Sequence, residues 1–375
     1  MPSLSGRSFG ALLALALTSV VACGPSVDSV FGRAVAAGDR AKTAGRHLEA
    51  AQAYEDAAKS ARDPRDRDHA LALAASSFTR ANDKADAARI LDDLSKRLPE
   101  GGAVALRARF DRALLTLETD EEAGLVAMET LVTSHPESAL SRRALAIVLE
   151  RRAGDDAKKR VSVLERVLPK ARGSELEERV RYDLALAHEA LGDPDGARAE
   201  LRAIARDFPY PKGALFDDAL LRAAEIDERR GRYEAAIDDL TTLLRERETT
   251  HLIGSYERRG YLPAAMRIAS IYRDRIGDLP KARDAFMRVY SEFTTSTSRD
   301  DALFEAALVS RRMGDESATC SAMQTLVRSF PDSRYAACAA ALCASLGPGA
   351  TKPCAEYVKR RIAGDAHGAN DKPAD

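Results

Sequence analysis

Tryptophan is absent from this sequence of 375 residues, and aromatic residues make up only 5% of it. Because β-strands draw on aromatic and β-branched residues, this composition argues against a β-sandwich or a β-barrel. Net charge is also lacking, since 57 basic residues against 58 acidic ones leave −1. A chain so balanced shows no overall electrostatic footprint for nucleic acid. Its hydrophobic content of 45%, in turn, is too high for a disordered chain.

Motifs for catalysis and metal binding are missing as well. The sequence contains no H-E-x-x-H pair and, beyond its first 22 residues, no Walker loop or Rossmann glycine pattern. Its six histidines are scattered, and its carboxylates occur in runs typical of solvated helix faces. We therefore predict a protein that is not an enzyme, with no catalytic residue, no metal site and no cofactor.

The N-terminus carries an uncharged apolar run, Phe9 to Ala22, of about 14 residues. This run is too short to span a bilayer and is typical of the apolar region of a secretory signal peptide. It ends in Val20-Val21-Ala22-Cys23-Gly24, which resembles a bacterial lipobox; an ordinary secretory signal with an incidental cysteine is the alternative. The resemblance implies removal of residues 1–22, acylation of Cys23 with palmitate and a short linker over residues 23–30. Because residue 24 is Gly rather than the Asp that retains lipoproteins at the inner membrane, it also implies an outer-membrane anchor facing the periplasm.

Helix-forming residues dominate the rest of the chain, with alanine, leucine, arginine and glutamate prominent. Helix-compatible segments repeatedly end in proline, at Pro99, Pro136, Pro209 and Pro331. The first gap is 37 residues, and the second, 73, is close to twice that. Since proline cannot continue a helix, this spacing predicts a repeated unit of about 37 residues that ends in a helix.

A second marker recurs with the same period: a small residue followed four positions later by a large one. Residues four apart share one helix face, so the small residue lets a neighbouring helix approach and the large one fills the space beside it. An upstream glycine closes the preceding helix through a left-handed cap, and an aspartate directly after it can cap the next helix. The pattern therefore predicts stacked helical hairpins. The pairs are Ala50/Tyr54, Ala87/Leu91, Ala197/Leu201, Ala236/Leu240 and Ala282/Phe286, and the glycines are Gly45, Gly192, Gly231, Gly277 and Gly314.

This pattern resembles the tetratricopeptide repeat, most clearly at Gly231 to Ile237. The resemblance implies an all-α fold, a right-handed superhelical solenoid of about eight helical hairpins over residues 31–363. The fourth unit is the least regular, with Arg160 where a small residue is expected. Residues 246–262 are too long for a simple hairpin connection and predict an extra helical turn or a surface loop. The composition of residues 364–375 predicts a disordered tail.

The longer spacing, together with residues 135–138 and 330–336, resembles two families of bacterial envelope proteins. One is the tetratricopeptide lipoprotein of the outer-membrane β-barrel assembly machinery, and the other is the cell-division coordinator of the Tol–Pal system. The resemblance implies a lipid-anchored cell-envelope scaffold that binds envelope proteins or peptide segments, in outer-membrane protein assembly or in cell division, and no nucleic acid. The alternative is a carrier of peptidoglycan or another glycan, or a regulator of an envelope hydrolase. The low aromatic content weighs against the glycan alternative.

In the tetratricopeptide family the first helix of each hairpin lines the surface that binds partners. Carried over to this chain, the resemblance selects Tyr182, Leu186, Glu225, Arg229, Arg267, Ile271 and Arg275 as partner-binding residues. The alternative is that these are ordinary exposed positions that form ion pairs within their helices. The paired asparagines of the chaperone-binding clamp are lacking, because asparagine occurs only at Asn82 and Asn370.

Four cysteines besides Cys23 lie near the C-terminus, at Cys320, Cys338, Cys343 and Cys354. An even number clustered in an exported protein predicts two disulfides, with free buried thiols or a metal site as alternatives. The absence of a C-x-x-C spacing and of a nearby histidine disfavours a metal. Four cysteines allow three pairings, and in an antiparallel hairpin Cys343 lies roughly level with both Cys320 and Cys354. Disulfides here would stabilise a terminal repeat that lacks one stacking neighbour.

Overall fold

The computed structural model describes residues 29–245, 260–347 and 353–368, and these ranges contain eighteen α-helices and no β-strand. The all-α class expected from the sequence is therefore confirmed. The first sixteen helices follow one another as eight consecutive pairs. Their bounds are α1 (Ser29–Thr43), α2 (His47–Ser60), α3 (Pro64–Arg80), α4 (Lys84–Arg97), α5 (Ala103–Leu117), α6 (Glu121–Ser134), α7 (Ala139–Ala153), α8 (Ala157–Ala171), α9 (Glu175–Ala190), α10 (Pro194–Asp207), α11 (Phe216–Arg229), α12 (Tyr233–Arg245), α13 (Tyr261–Ile271), α14 (Leu279–Glu292), α15 (Arg299–Arg312), α16 (Glu316–Ser329), α17 (Ala339–Leu342) and α18 (Glu356–Gly368).

The turns inside the pairs use the chemistry predicted from the sequence. Gly192, Gly277 and Gly314 have φ angles of 75°, 78° and 74°, which a residue with a Cβ rarely adopts. The aspartate after each glycine then caps the next helix: the carboxylate of Asp193, for example, accepts a hydrogen bond from the backbone N–H of Gly196 at 2.9 Å. These three hairpins are thus each closed by a left-handed turn followed by a capped helix.

The five predicted pairs of small and large residues lie on second helices of the hairpins, and all of them are buried in the core. In α10, Ala197 and Leu201 are both fully buried, as are Ala282 and Phe286 in α14. The irregular fourth unit still folds as a helical pair, α7 and α8. Arg160 there donates from Nε to the backbone carbonyl of Gly154 at 2.6 Å, so its guanidinium serves the turn rather than the core.

The first helix of the seventh pair departs from regular α geometry. After α13, residues Tyr272–Ile276 form a π-helical turn that ends at Gly277. A π turn adds one residue to the helical register and is found mostly as a single turn, often at functional positions. The turn places Arg273 where its guanidinium pairs with Asp274 and reaches Glu305 of α15.

The described residues fall into two compact units that divide inside α6, between Ala127 and Met128. In the first unit, Tyr54 is fully buried and its hydroxyl donates to the carboxylate of Asp39 at 2.6 Å. Burial and this hydrogen bond raise the pKa of Tyr54. A Cβ added to Gly38 would lie 2.6 Å from the Tyr54 ring, so only glycine fits beneath it.

In the second unit, a buried carboxylate joins the fifth helical pair to the sixth. Asp227 of α11 has no exposed surface, and its two oxygens accept from Nε of Arg198 in α10 and Nε of Arg232, each at 2.7 Å. Arg202 of α10 extends the cluster to Asp239 of α12, at 2.9 Å. Buried charges persist only when they are paired, and here the pairing joins α10 to α11 and α12.

The C-terminus of the second unit is a cap held by two disulfides, Cys320–Cys343 and Cys338–Cys354. Cys320 lies on α16, and Cys354 lies just before α18. Val358 of α18 is fully buried in the core cluster that includes residues of α15 and α16. The cap thus covers the apolar side of the last hairpin.

Three boundaries differ from those expected. Helix α1 begins at Ser29, and α13 begins at Tyr261, inside the expected connection, because the Tyr261 ring is buried in the core. The tail expected from residue 364 is wrong over residues 364–368, since α18 packs on α15 through Ile362 and continues to Gly368. Cys23 with the signal peptide, residues 246–259 of the connection and residues 369–375 of the tail lie outside the described residues.

Candidate partner-binding surface

The first helices of successive pairs in the second unit are bonded to one another by arginine–carboxylate pairs. We refer to the surface formed by α9, α11, α13 and α15 as the first-helix face. Glu189 of α9 accepts from Arg222 of α11 and from Arg229 of α11, the latter at 2.6 Å. Each guanidinium is partly exposed, which makes each pair worth about 0.2–1 kcal/mol.

The same arrangement continues along the chain. Arg267 of α13 pairs with Glu225 of α11 at 3.5 Å and also contacts Glu228. Beyond the π turn, Glu305 of α15 is 5% exposed and contacts Arg273. Successive first helices are therefore linked by alternating acidic and basic side chains, and much of the charge on this face is already neutralised.

The residues predicted to bind partners fall into four groups. Glu225, Arg229 and Arg267 are members of these inter-helix pairs. Tyr182 and Leu186 are half-buried on α9, and Arg275 is exposed at the end of the π turn. Ile271 is a wrong prediction, because it is 3% exposed and belongs to the core.

The position of Ile271 explains that error. It shares a core cluster with Val289 of α14 and Ala302 of α15, so α13 carries it into the space where three helices meet. An aliphatic side chain gains about 1.5–3 kcal/mol from full burial, so Ile271 stabilises the fold instead of being available to a partner. The resemblance to the tetratricopeptide repeat selected Ile271 as a residue of a first helix, but it did not show which neighbouring helices cover this side chain.

Tyr182 is the aromatic residue of the predicted set, and it is amphipathic. Its ring packs against the core of α9, α10 and α11. Burial raises the pKa of its hydroxyl, Asp218 adds to this effect, and Arg222 opposes it. The neighbouring Asp183 also has a raised pKa because burial outweighs its ion pair with Arg179, at 2.9 Å. This part of the face offers a half-buried phenol and aliphatic surface beside groups that form hydrogen bonds.

The sequence did not predict a groove of about 760 Å³ between α12, α13 and α14. Its lining is apolar at Ile237, Leu244, Ile268, Val289 and Phe293. Charged residues of α14 also line it, and they pair within their own helix, as Arg288 does with Glu292 at 3.0 Å. The groove cannot be read from periodicity, because its volume depends on how far apart three helices are placed.

Within residues 29–245, 260–347 and 353–368, no group of three or more His, Cys, Asp or Glu side chains is placed to hold a metal ion. No helix in these ranges is both long enough and apolar enough to cross a membrane.

Consecutive helical pairs with glycine turns and small–large core pairs define a helical-repeat protein. Residues 179–209 and 301–333, which fall in the fifth and eighth pairs, match the model of the tetratricopeptide repeat family. These two segments are thus similar to tetratricopeptide repeats, as expected from the sequence. Repeats of this family typically form surfaces for protein–protein interaction.

Solved structures of low sequence identity resemble the chain. One, titled as Naa15/Naa10 bound to HypK-THB, is 16% identical with a TM-score of 0.39, and the match covers 82% of this chain but 43% of that one. Another is the C-terminal part of a TPR repeat-containing protein from Cytophaga hutchinsonii (10% identity, TM-score 0.36, 82% of this chain and 98% of that one). A third is a tetratricopeptide repeat protein from Parabacteroides merdae (13% identity, TM-score 0.26, 90% and 99%). No curated protein sequence matches the chain significantly.

Proposed function

We propose that this protein is a non-catalytic, lipid-anchored scaffold of the bacterial cell envelope that binds partner proteins through its first-helix face. The observation that carries the proposal is this face itself, where arginine–carboxylate pairs link one hairpin to the next and half-buried Tyr182 and Leu186 add apolar surface on α9. Stacked helical repeats are suited to extended partner segments, because each hairpin adds contact area of similar chemistry. Outer-membrane protein assembly and cell division are the two processes proposed.

The proposed anchor is a lipid on Cys23 in an outer membrane, facing the periplasm. The sequence from Val20 to Gly24 supports it through its similarity to a lipobox. The two disulfides of the cap also fit an oxidising compartment outside the cytoplasm, where such bonds persist. Acyl chains contribute about 0.8 kcal/mol per buried methylene, so two or more chains would hold the protein on the membrane stably.

The anchor is tested by replacing Cys23 with alanine and separating membrane and soluble fractions. We expect the wild-type protein in the outer-membrane fraction, labelled by a palmitate analogue, and the Cys23→Ala protein without label and no longer membrane-bound. If the variant stays acylated and on the membrane, the lipobox interpretation is wrong.

Partner binding is tested by placing a photo-crosslinking amino acid at Tyr182 in living cells. A matched control places it at Arg288, which is exposed on α14, outside the first-helix face. Adducts specific to Tyr182 that contain β-barrel assembly subunits support assembly, whereas adducts with division or Tol–Pal proteins support division. Identical adducts at both positions, or none at Tyr182, would contradict binding through this face.

A further inference from the structure

Four arginines from three elements at the C-terminal end of the first-helix face act by charge on one carboxylate, that of Asp365. Arg273 comes from the π turn, Arg311 and Arg312 from the last turn of α15, and Arg361 from α18. All four lower the pKa of Asp365 by charge, although burial has the larger effect and leaves that pKa raised. We refer to these four residues as the arginine cluster.

The arginine cluster is incompletely neutralised. Arg273 pairs with Asp274, and Arg273 and Arg361 both contact the buried carboxylate of Glu305, so these two arginines are balanced by two acids. Arg311 donates to a neutral backbone carbonyl, that of Ile362, at 3.3 Å. The cluster therefore holds more positive charge than the pairs around Glu305 balance.

Two polar atoms in the same place lack hydrogen bonds. Nε of Arg312 is buried and has no acceptor, and Oδ2 of Asp365 is buried and has no donor. A buried polar atom without a partner costs about 1–3 kcal/mol, so each of these two atoms would gain from a further hydrogen-bonding group, whether water, an ion or a side chain. Asp365 thus lies near the guanidinium groups without forming the hydrogen bonds that a well-fitted carboxylate would form.

We propose that the arginine cluster is a docking site for an acidic segment of a partner protein, and that Asp365 occupies this site in the free protein. The inference deepens the proposed function, on which it rests, by naming the chemistry of one partner segment. Guanidinium groups present planar forks of donors that match carboxylates, and Arg312 still has an unused donor there.

The position of Asp365 makes exchange feasible. It lies in the last turn of α18, three residues before the helix ends at Gly368, and the last turn of a helix is the part that opens most easily. The contacts that dock α18, through Val358 and Ile362, lie one to two turns earlier. An incoming carboxylate can therefore displace Asp365 while the rest of the cap stays in place.

The test measures binding of a fluorescein-labelled hexaglutamate peptide to the full-length protein in detergent, by fluorescence anisotropy. Arg311→Gln/Arg312→Gln removes two positive charges and should weaken binding at least fivefold. Asp365→Asn removes the competing carboxylate and should strengthen it about twofold to fivefold, as expected for one partly exposed charge. The matched control, Arg288→Gln, removes a positive charge outside the cluster and should leave affinity unchanged.

Several outcomes would overturn the inference. If Arg288→Gln weakens hexaglutamate binding as much as the double variant does, the peptide is attracted to basic residues in general. If Asp365→Asn leaves hexaglutamate binding unchanged or weakens it, this carboxylate does not compete with the peptide. Binding of phosphatidylglycerol vesicles through Arg311 and Arg312, without binding of hexaglutamate, would assign the cluster to a membrane surface instead. Circular dichroism of each variant verifies that the helices remain.

The two experiments separate failure of the site from failure of the proposed function. If the affinities of the variants for hexaglutamate follow the expected order but crosslinking at Tyr182 finds no partner, the proposed function fails and the acid-binding site stands. The reverse result overturns only the site.

Discussion

Removing the disulfide between Cys338 and Cys354 tests how the C-terminal cap is held. This bond closes a loop with a sequence separation of 16 residues and ends just before α18. Among the residues of α18 whose side chains the structure describes, 356–365, only Val358 and Ile362 are buried, so this part of the helix has few apolar contacts to fix its position. The chain-entropy model gives about 3 kcal/mol for a loop of this length. We expect the Cys338→Ser/Cys354→Ser protein to lose about that much of the free energy that keeps α18 docked.

Hydrogen exchange read by mass spectrometry measures this loss directly, because local opening sets the exchange rate of each segment. At 1.4 kcal/mol per tenfold, about 3 kcal/mol predicts roughly hundredfold faster exchange in peptides from α18. Peptides from α9, far from the cap in sequence, should exchange at the wild-type rate. The change should appear in wild-type protein as well, once both disulfides are reduced.

The other disulfide supplies the matched control. Cys320–Cys343 has a sequence separation of 23 residues and joins α16 to the residue after α17, so its removal leaves α18 tethered at Cys354. We expect the Cys320→Ser/Cys343→Ser protein to loosen α17 and to change α18 by less than tenfold. If peptides from α18 exchange at the wild-type rate without Cys338–Cys354, then side-chain packing alone docks the helix, and the tether argument is refuted.

Three further predictions concern stability measured by urea denaturation. Asp227→Ala removes the buried carboxylate that two arginines share and should lower the free energy of unfolding by about 3 kcal/mol. Asp195→Ala removes an exposed partner of Arg232 and should have a much smaller effect, so equal losses would contradict the burial argument. Gly38→Ala should destabilise the protein by about 1–3 kcal/mol because the added Cβ meets the Tyr54 ring. Gly364→Ala, at a helical position with open space, should stabilise it by about 0.5–1 kcal/mol, and a change in stability of the same sign at both positions would refute the steric reasoning. Burial raises the pKa of Asp239, so its carboxylate binds a proton more tightly in the folded protein than in the unfolded one. The stability of the wild-type protein relative to Asp239→Asn should therefore rise as the pH falls through the raised pKa, and it should level off below the ordinary value of 3.8. A stability difference that does not depend on pH would contradict this.

Features repeated within each hairpin could be predicted from the sequence, because they depend on local geometry. A left-handed turn needs Gly277 or its equivalents, and the next helix needs Asp278 to satisfy its free N–H groups. Likewise, Ala197 and Leu201 are both buried because residues four apart share the helix face that packs against a neighbouring helix. Such rules refer to residues a few positions apart, and periodicity detects them.

Features that join one hairpin to the next could not be predicted in this way. Arg267 pairs with Glu228, and Asp227 with Arg198, at separations of 39 and 29 residues that no local pattern fixes. The π turn after Ile271 is similarly invisible, since it adds a residue inside a helix whose composition does not change. The pairing of the four cysteines also depended on the cap, which has short helical turns rather than another regular hairpin.

These inter-hairpin pairs bear on how the first-helix face selects a partner. A residue such as Arg229 or Glu225 is already bonded to the neighbouring helix, so a partner that uses its charge must first break a pair that stabilises the stack. The exchange gains little, because the new pair is of similar strength to the old one. We therefore expect selectivity for a partner at two places. One is the arginine cluster at the C-terminal end of this face, where pairing is incomplete. The other is the half-buried Tyr182, which adds contact area without the displacement of a charge.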